Sequence, residues 1–228
     1  MSIILQIETA TTVCSVALAK DGETTTVKEL NERNIHAEVI TLYIEELIAG
    51  AGLKYSDIDA VAVSSGPGSY TGLRIGVSTA KGLCFALDKP LIAVETLESM
   101  AQGIIAQNNI DAHTLLCPMI DARRMEVYTA LFDARGNVVK QTSAEIIDEQ
   151  SFADQLSAHK ILFFGDGAAK CQSVLSNNAN ALFDVEFINS ASHLTLKAAQ
   201  KYAKGQFEDV AYFEPFYLKD FLVTQKKN

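Results

Sequence analysis

Tryptophan is absent from the sequence, cysteine is scarce, and basic residues are outnumbered by acidic ones. The four cysteines lie far apart and form no Cys-x-x-Cys pair, which predicts reduced, buried thiols rather than disulfides or a zinc site: Cys14, Cys84, Cys117 and Cys171. With 28 acidic and 19 basic residues the net charge is −9, and no run of basic residues is longer than a pair. A chain of this charge lacks the electrostatic footprint of a protein that binds nucleic acid by itself.

Long hydrophobic stretches are also absent. No apolar run approaches the roughly 18 to 20 residues that span a bilayer. The N-terminal MSIILQIETA has neither the basic segment nor the cleavage site of a signal peptide. We therefore expect a cytoplasmic protein without membrane contact. Its 228 residues, 48% of them hydrophobic, suffice for a full core in one compact domain or two small ones.

Recognisable catalytic and metal-binding patterns are missing as well. None of the four histidines is paired at i, i+4 with another ligand type in a way that would make a metal site, and His36 is followed four positions later by Ile40. No Gly-x-Ser-x-Gly motif is present, and neither Glu8 nor Asp121 is followed by the glycine that a phosphoryl-transfer site needs. We predict no catalytic residue and no metal site. Two interpretations of Glu8 and Asp121 stay open, namely metal binding through water and hydrogen bonding to hairpin N–H groups.

The sequence does contain a glycine-rich turn. The segment GPGSYTG at 66–72 follows an apolar run at 61–63 and precedes residues with helical spacing. Backbone N–H groups at such a turn and the N-terminus of the following helix together attract anions. The turn is therefore a candidate anion or nucleotide loop, with five candidate residues: Gly66, Gly68, Ser69, Thr71 and Gly72.

Hydrophobic periodicity predicts the same order of elements twice. In the first half we predict strands at 3–7, 13–19, 24–30, 58–63 and 91–94, and helices at 35–49, 70–87 and 97–106. The second half begins again with strands at 115–120, 126–132, 138–140 and 161–164, followed by the turn Gly165-Asp166-Gly167. Glu8 aligns with Asp121, and Leu18 with Leu131, at one offset of 113 residues.

This repeated order predicts the fold. A hairpin followed by crossovers to parallel strands gives a mixed sheet with helices on its faces. Two such halves make a duplicated α/β architecture of the actin, hexokinase and Hsp70 (ASKHA, ribonuclease H-like) type. We place the first half at 1–108 and the second at 109–228, with the last residues packing back on the first half.

Two predicted helices have unusual surfaces. The helix from His36 has seven apolar residues on more than one face, and the helix from Tyr70 has glycines that are unfavourable in a helix unless another backbone lies close. The apolar surplus either packs inside the protein or binds another protein. For the second interpretation the candidate binding residues are His36, Ile40, Tyr43, Ile44, Leu47, Leu73, Val77 and Lys81.

Three segments resemble the TsaB (YeaZ) family: ILQIETATTVCSVAL, GPGSYTGLRIGVSTAKGL and IDARRMEVY. The resemblance implies the duplicated ATPase-like fold. It also implies a non-catalytic subunit that binds and activates a TsaD-type threonylcarbamoyl transferase, which makes threonylcarbamoyladenosine at position 37 of transfer RNA. The histidine pair that holds a metal in TsaD is broken here, with His36 present and Ile40 in the second position.

The same resemblance implies partners and ligands. The partners are a TsaD-like transferase, a TsaE-like ATPase and a second copy of this chain, with transfer RNA contacted indirectly. The helices that begin near His36 and Thr71 would form the dimer surface, and the glycine turn would set the second helix for docking. We expect no cofactor bound tightly by the lone chain, and ATP or ADP only at an interface of the complex.

An alternative of another class is a stand-alone enzyme of the same fold, either an ATP-dependent kinase or ATPase, or a glycoprotease-like peptidase. The missing glycine after Glu8 and Asp121, the broken histidine pair and the missing nucleophile argue against it. Binding of ATP and magnesium to the isolated protein separates the two hypotheses, because tight, metal-dependent binding favours the enzyme.

Overall fold

The computed structural model describes residues 2–107 and 110–219. The strands in these ranges are β1 (Ile3–Glu8), β2 (Val13–Lys20), β3 (Glu23–Asn31), β4 (Ala60–Ser64), β5 (Leu91–Val94), β6 (Thr114–Asp121), β7 (Glu126–Phe132), β8 (Val138–Ile146), β9 (Lys160–Phe164) and β10 (Ala181–Asp184). The α-helices are α1 (His36–Gly50), α2 (Tyr70–Leu87), α3 (Thr96–Gln107), α4 (Ala153–Ala158), α5 (Ala168–Leu175) and α6 (Thr195–Ala203). None of these helices combines the length and the apolar composition that crossing a membrane requires.

The strands form two five-stranded mixed sheets with the same internal order. The first is β3-β2-β1-β4-β5 and the second is β8-β7-β6-β9-β10. In both sheets consecutive hairpins join three antiparallel strands, and crossovers add two parallel ones. Glu8 and Asp121 end the equivalent strands β1 and β6. The predicted duplication and the two-half α/β fold are confirmed.

The first sheet is covered on both faces, so β4, which lies beside the central strand β1, is buried along its length and is apolar up to Ser64. Successive side chains of β1 point to opposite faces. Leu5 and Ile7 pack in the cluster that includes α1 and α2, whereas Ile4 packs in the cluster that includes α6. Helices therefore lie on either side of the sheet, with the main core between it and α1 and α2.

Each half gives its last helix to the sheet of the other half. α3 packs on the second sheet, where Met100 lies in one cluster with Phe132. α6 and the turn before it pack on the first sheet, where Leu194 lies in one cluster with Ala60. The boundary predicted near residue 108 divides the chain after α3, but α3 and α6 each pack on the sheet of the other half. Periodicity did not show this, because it identifies the apolar side of a helix and not the sheet that covers it.

The helix α2 begins and ends where the sequence predicts. Ser69 caps its N-terminus, since its Oγ accepts a hydrogen bond from the Gly72 N–H at 3.2 Å, and Asp88 ends it in the left-handed conformation, with a φ of 53°. A Cβ on Gly72 would lie 2.0 Å from the carbonyl oxygen of Thr9. The predicted reason for glycine in this helix, the close approach of another backbone, is confirmed at Gly72, whereas Gly76 lies against the Thr9 side chain and Gly82 has no atom within 4 Å of its Cβ position.

After α6 the chain returns to the first half. We call residues 206–219 the C-terminal strap. Lys81 of α2 donates hydrogen bonds to two strap carbonyl oxygens, the nearer being that of Phe213 at 2.9 Å. The Phe216 N–H donates to the carbonyl oxygen of Ser65 at 2.7 Å. The strap therefore lies over α2 and the start of the glycine-rich turn.

The four cysteines are buried and form no disulfide, as the sequence predicts. Burial raises the pKa of the Cys14 thiol to about 12 and that of the Cys84 thiol to about 11. Both side chains are therefore protonated core groups at neutral pH, without the thiolate character that reactivity needs.

Candidate functional site

Three N–H groups of the glycine-rich turn, those of Gly66, Ser69 and Gly72, are hydrogen-bonded inside the protein. The Ser69 N–H donates to the carbonyl oxygen of Ala10 at 2.7 Å, and the Gly66 N–H donates to Thr96 Oγ1 at 3.1 Å. A Cβ on Gly68 would lie 2.4 Å from the same Ala10 oxygen. Carbonyl oxygens carry partial negative charge, so their packing against the turn opposes an anion there. The packing therefore favours a turn that sets α2 against the end of β1, and the anion-loop interpretation stays a prediction.

Glu8 is a fully buried carboxyl group beside this turn. Its Oε1 accepts hydrogen bonds from the Ala10 N–H at 2.6 Å and from Ser64 Oγ at 2.9 Å. Burial raises the pKa of Glu8 to about 7, although these bonds and the nearby Asn189 amide oppose the rise. A carboxyl group enclosed in this way favours the hydrogen-bonded interpretation over a metal ligand, with donors from the turn after β1 and from β4.

Asp121 occupies the equivalent place in the second half but is exposed. Its carboxylate pairs with the ammonium group of Lys170 and accepts a hydrogen bond from the Arg123 N–H at 2.9 Å. Its own N–H donates to Asp166 Oδ1 at 3.0 Å, and burial raises the pKa of Asp166. Among the described residues no group of three His, Cys, Asp or Glu side chains is arranged to hold a metal ion. Asp121 therefore lies in an ion-paired turn.

Six of the eight predicted binding residues lie inside the protein. Their side chains point towards the first sheet and are 1–6% exposed: His36, Ile40, Ile44, Leu47, Leu73 and Val77. The prediction that these six bind a partner is wrong. A helix that packs on a sheet buries its apolar stripe in the core. The apolar stripes of α1 and α2 cover the first sheet in this way and are not available to a partner.

The other two predicted residues are partly accessible but engaged within the chain. The Tyr43 ring is half-buried, with the Lys28 ammonium group 4.9 Å from its centroid. Lys81 holds the C-terminal strap. Of the seven apolar residues noted on α1, only Leu42 is exposed, at 53%. The internal-packing interpretation therefore accounts for most of the apolar surplus.

The side of α1 and α2 that points away from the sheet is nevertheless exposed and partly apolar. Phe85 on α2 is 86% exposed, and a Cβ on Gly82 would meet no atom within 4 Å. We call this surface the outer helical face and define it by the exposed residues Leu42 and Ala49 of α1 and Ser78, Gly82 and Phe85 of α2. Sequence reasoning missed it by following the apolar stripe, although a phenylalanine outside that stripe was the available signal.

Known proteins match the chain over nearly its whole length. The family model described as TsaD, tRNA N6-adenosine threonylcarbamoyltransferase, matches residues 29–225. The Escherichia coli (strain K12) protein named tRNA threonylcarbamoyladenosine biosynthesis protein TsaB is 35% identical over 231 residues, which cover 98% of this chain and 97% of that protein.

Solved structures agree with this result. YeaZ from Pseudomonas aeruginosa has a TM-score of 0.79 at 28% identity, and the match covers 96% of this chain and 100% of that one. The activator of the 2-hydroxyisocaproyl-CoA dehydratase from Clostridium difficile has a TM-score of 0.50 at 10% identity, covers 89% and 97% of the two chains, and shows a likeness of fold alone. The chain therefore belongs to the TsaB (YeaZ) family, within the wider family that the TsaD model describes.

Proposed function

We propose that this chain is a non-catalytic subunit that binds and activates a TsaD-type threonylcarbamoyl transferase in the formation of threonylcarbamoyladenosine at adenosine 37 of transfer RNA. The observation that carries the proposal is the enclosed end of β1. An ATPase of this fold needs an accessible carboxylate and free backbone N–H donors at this place. In this chain Glu8 is buried, and the carbonyl oxygens of Ala10 and Thr9 lie against the glycine-rich turn. The names of its relatives support the pathway.

The outer helical face is the docking surface in this proposal. The match to the TsaD model includes α1 and α2, so a transferase of that family has corresponding helices. A surface that pairs two copies of one chain around a two-fold axis can pair two related chains around an approximate two-fold axis. We infer that a second copy of this chain and the transferase compete for the same face.

Phe85 is the main anchor of this face. Full burial of such a side chain contributes roughly 1.5–3 kcal/mol. The rigid-body freedom lost on association costs about 4–15 kcal/mol, so further contacts such as Leu42 are needed as well. Aromatic anchors at the centre of an interface are the residues whose loss reduces affinity most.

A TsaE-like ATPase completes the proposed complex, with ATP or ADP at an interface rather than in this chain alone. The support for a nucleotide at an interface comes from the glycine-rich turn. The N–H groups of Ser69 and Gly66 donate to Ala10 and Thr96, so these two donors are not available to a phosphate in the isolated chain.

Reconstitution with a TsaD-type transferase, a TsaE-type ATPase and unmodified transfer RNA tests the proposal. We expect modification to depend on this chain, and Phe85→Asp to abolish binding to the transferase while circular dichroism stays unchanged. The control is Val139→Asp, which places the same charge at a residue of the second half that is 54% exposed. Modification that proceeds equally well without this chain, or a Phe85→Asp variant that still binds the transferase, would refute the proposal.

The stand-alone enzyme is tested on the purified chain. We expect neither ATP hydrolysis nor transfer of a threonylcarbamoyl group by this chain alone. Turnover by the chain alone that Glu8→Gln or Asp121→Asn abolishes would establish the enzyme instead.

A further inference from the structure

Side chains from separate segments meet where the two halves adjoin. The Tyr217 ring of the C-terminal strap lies 4.8 Å, centroid to centroid, from the Tyr70 ring, and Arg74 Nη1 donates to the Tyr70 hydroxyl at 3.2 Å. Two residues beyond Tyr217, Lys219 pairs with Glu126 at the start of β7. The strap therefore connects the N-terminus of α2 in the first half with the β6–β7 turn in the second.

The β6–β7 turn adds two arginines in an unusual conformation. Arg123 and Arg124 are both exposed, and both have positive φ values, of 70° and 47°. Non-glycine residues adopt this region infrequently, and consecutive examples are more unusual still. The Glu126 N–H holds the turn by donating to the Arg123 carbonyl oxygen at 3.1 Å. A strained backbone of this kind often accompanies a functional role of the side chains it presents.

Tyr128 of β7 lies beside the same turn. Its side chain is half-buried, and burial raises the pKa of its hydroxyl while the charges of Lys219 and Arg123 oppose the rise. We name the combined surface the basic–aromatic ridge. It consists of Tyr70, Arg74, Arg123, Arg124, Tyr128, Tyr217 and Lys219.

The ridge has spare positive charge in an acidic protein. Its lysine is paired with a carboxylate, whereas in the part of the chain that the structure describes Arg74, Arg123 and Arg124 form no salt bridge. Burial raises the pKa of the Tyr217 hydroxyl, and the charges of Arg74 and Glu214 act on this pKa in opposite directions. Guanidinium groups without a salt-bridge partner, beside half-exposed tyrosine rings, are the feature that a ligand can use.

We propose that the basic–aromatic ridge binds a single-stranded segment of the substrate RNA. Guanidinium groups match the geometry of phosphate oxygens, and tyrosine rings provide stacking surfaces for bases. The strap places ridge residues one after another, from Tyr70 at the start of α2 through Tyr217 to Lys219 beside Glu126, and contacts in a row suit a nucleic-acid strand better than a mononucleotide.

The identity of this RNA, the transfer RNA that the transferase modifies, rests on the proposed function. The proposal replaces the expectation that this chain contacts RNA only indirectly. Because the whole chain carries a net charge of −9, most of the affinity comes from the partner, and the ridge adds a few local contacts.

Fluorescence anisotropy with a labelled RNA hairpin that has a single-stranded loop tests the charge contacts on the full-length chain. We expect measurable binding at low salt, and about five- to tenfold weaker binding by Arg123→Ala/Arg124→Ala. Each single-strand phosphate contact contributes about 0.7 to the salt slope, so the slope should fall by about 1.4. The control Lys54→Ala/Arg135→Ala removes two exposed positive charges away from the ridge and should leave the slope nearly unchanged.

The stacking contact has its own variant. Tyr217→Leu keeps an apolar side chain and the charge, so it should weaken binding at least about fivefold without changing the salt slope. Circular dichroism of each variant verifies the fold. The arginine variant should change both the affinity and the salt slope, whereas Tyr217→Leu should change the affinity alone. Neither a bulk charge effect nor a purely structural role of the strap produces this difference between the two variants.

Three outcomes would overturn the proposal. They are no binding by the wild type at low salt, equal affinity of the wild type and the double arginine variant, and full displacement of the RNA by ATP, which would assign the ridge to a free nucleotide. The assay contains no transferase. Reconstituted modification that does not depend on this chain, together with intact RNA binding, therefore counts against the proposed function alone. Modification that depends on this chain, together with no RNA binding, counts against the ridge alone.

Discussion

The carbonyl oxygen of Thr9 fills the space in which a side chain at Gly72 would stand, 2.0 Å from an ideal Cβ. The contact joins the end of β1 to the first turn of α2. We expect Gly72→Ala to destabilise the protein by about 1–3 kcal/mol in urea unfolding, because backbone atoms must move to admit the methyl group. The gain in helix propensity, about 1 kcal/mol, does not compensate for this displacement.

Gly82 provides the matched control in the same helix. A Cβ there meets no atom within 4 Å, and the residue is exposed. Gly82→Ala should therefore stabilise the protein by roughly 0.4–1 kcal/mol. Equal effects of the two substitutions would show that the Thr9 contact relaxes without cost.

Glu8 makes the stability of the protein depend on pH. Its pKa rises from 4.5 to about 7 on folding, so the native state holds its proton more tightly than the unfolded state. The contribution of this residue is fully present below pH 4.5 and is lost as the pH rises through 7. Relative to Glu8→Gln, the wild type should lose roughly 3 kcal/mol of unfolding free energy over that range.

Urea unfolding at a series of pH values measures this difference. Glu45→Gln, at an exposed residue of α1, is the control and should follow the wild-type curve. A pH-independent difference between the wild type and Glu8→Gln would mean that Glu8 does not titrate in this range.

Ile44 and Leu42 lie two residues apart on α1 and face opposite environments. Ile44 is 2% exposed in the core, whereas Leu42 is 53% exposed. Ile44→Asp places an unpaired charge in the core and should cost more than about 4 kcal/mol of stability. Leu42→Asp should keep the fold, within about 0.5 kcal/mol. Thermal unfolding of the two variants measures the contrast, and a stable Ile44→Asp protein would contradict the burial of this side chain.

Lys81 holds the C-terminal strap, which predicts a local effect on hydrogen exchange. Lys81→Met removes the hydrogen bonds to the carbonyl oxygens of Ala211 and Phe213. The amide of Phe216, bonded to Ser65, should then exchange several-fold faster, with little change in global stability. Lys89→Met, just beyond α2, is the control. Unchanged exchange of Phe216 in Lys81→Met would show that other contacts hold the strap.

The sequence predicts elements well where local signals coincide. The bounds of α2 predicted from its helical spacing are correct, and in the structure Ser69 caps its start and Asp88 ends it in the left-handed conformation. β10, α4, α5 and α6 were not predicted, since their apolar patterns are short. The exchange of α3 and α6 between the sheets was not predictable from periodicity, which describes one helix at a time.

Candidate binding residues were harder to predict than the fold. Ile40 and Ile44 were assigned to a docking surface because one apolar stripe fits a sheet and a partner equally well. The basic–aromatic ridge brings together residues as far apart in the chain as Tyr70 and Tyr217, so no local sequence window contains it.

The exchange of α3 and α6 has a mechanical consequence. A rotation of one half against the other would separate Met100 from Phe132 in the second sheet and Leu194 from Ala60 in the first at the same time. Hinge closure, in which a few residues absorb the motion, is therefore unfavourable in this chain. Surfaces on the two halves are therefore held at a fixed spacing.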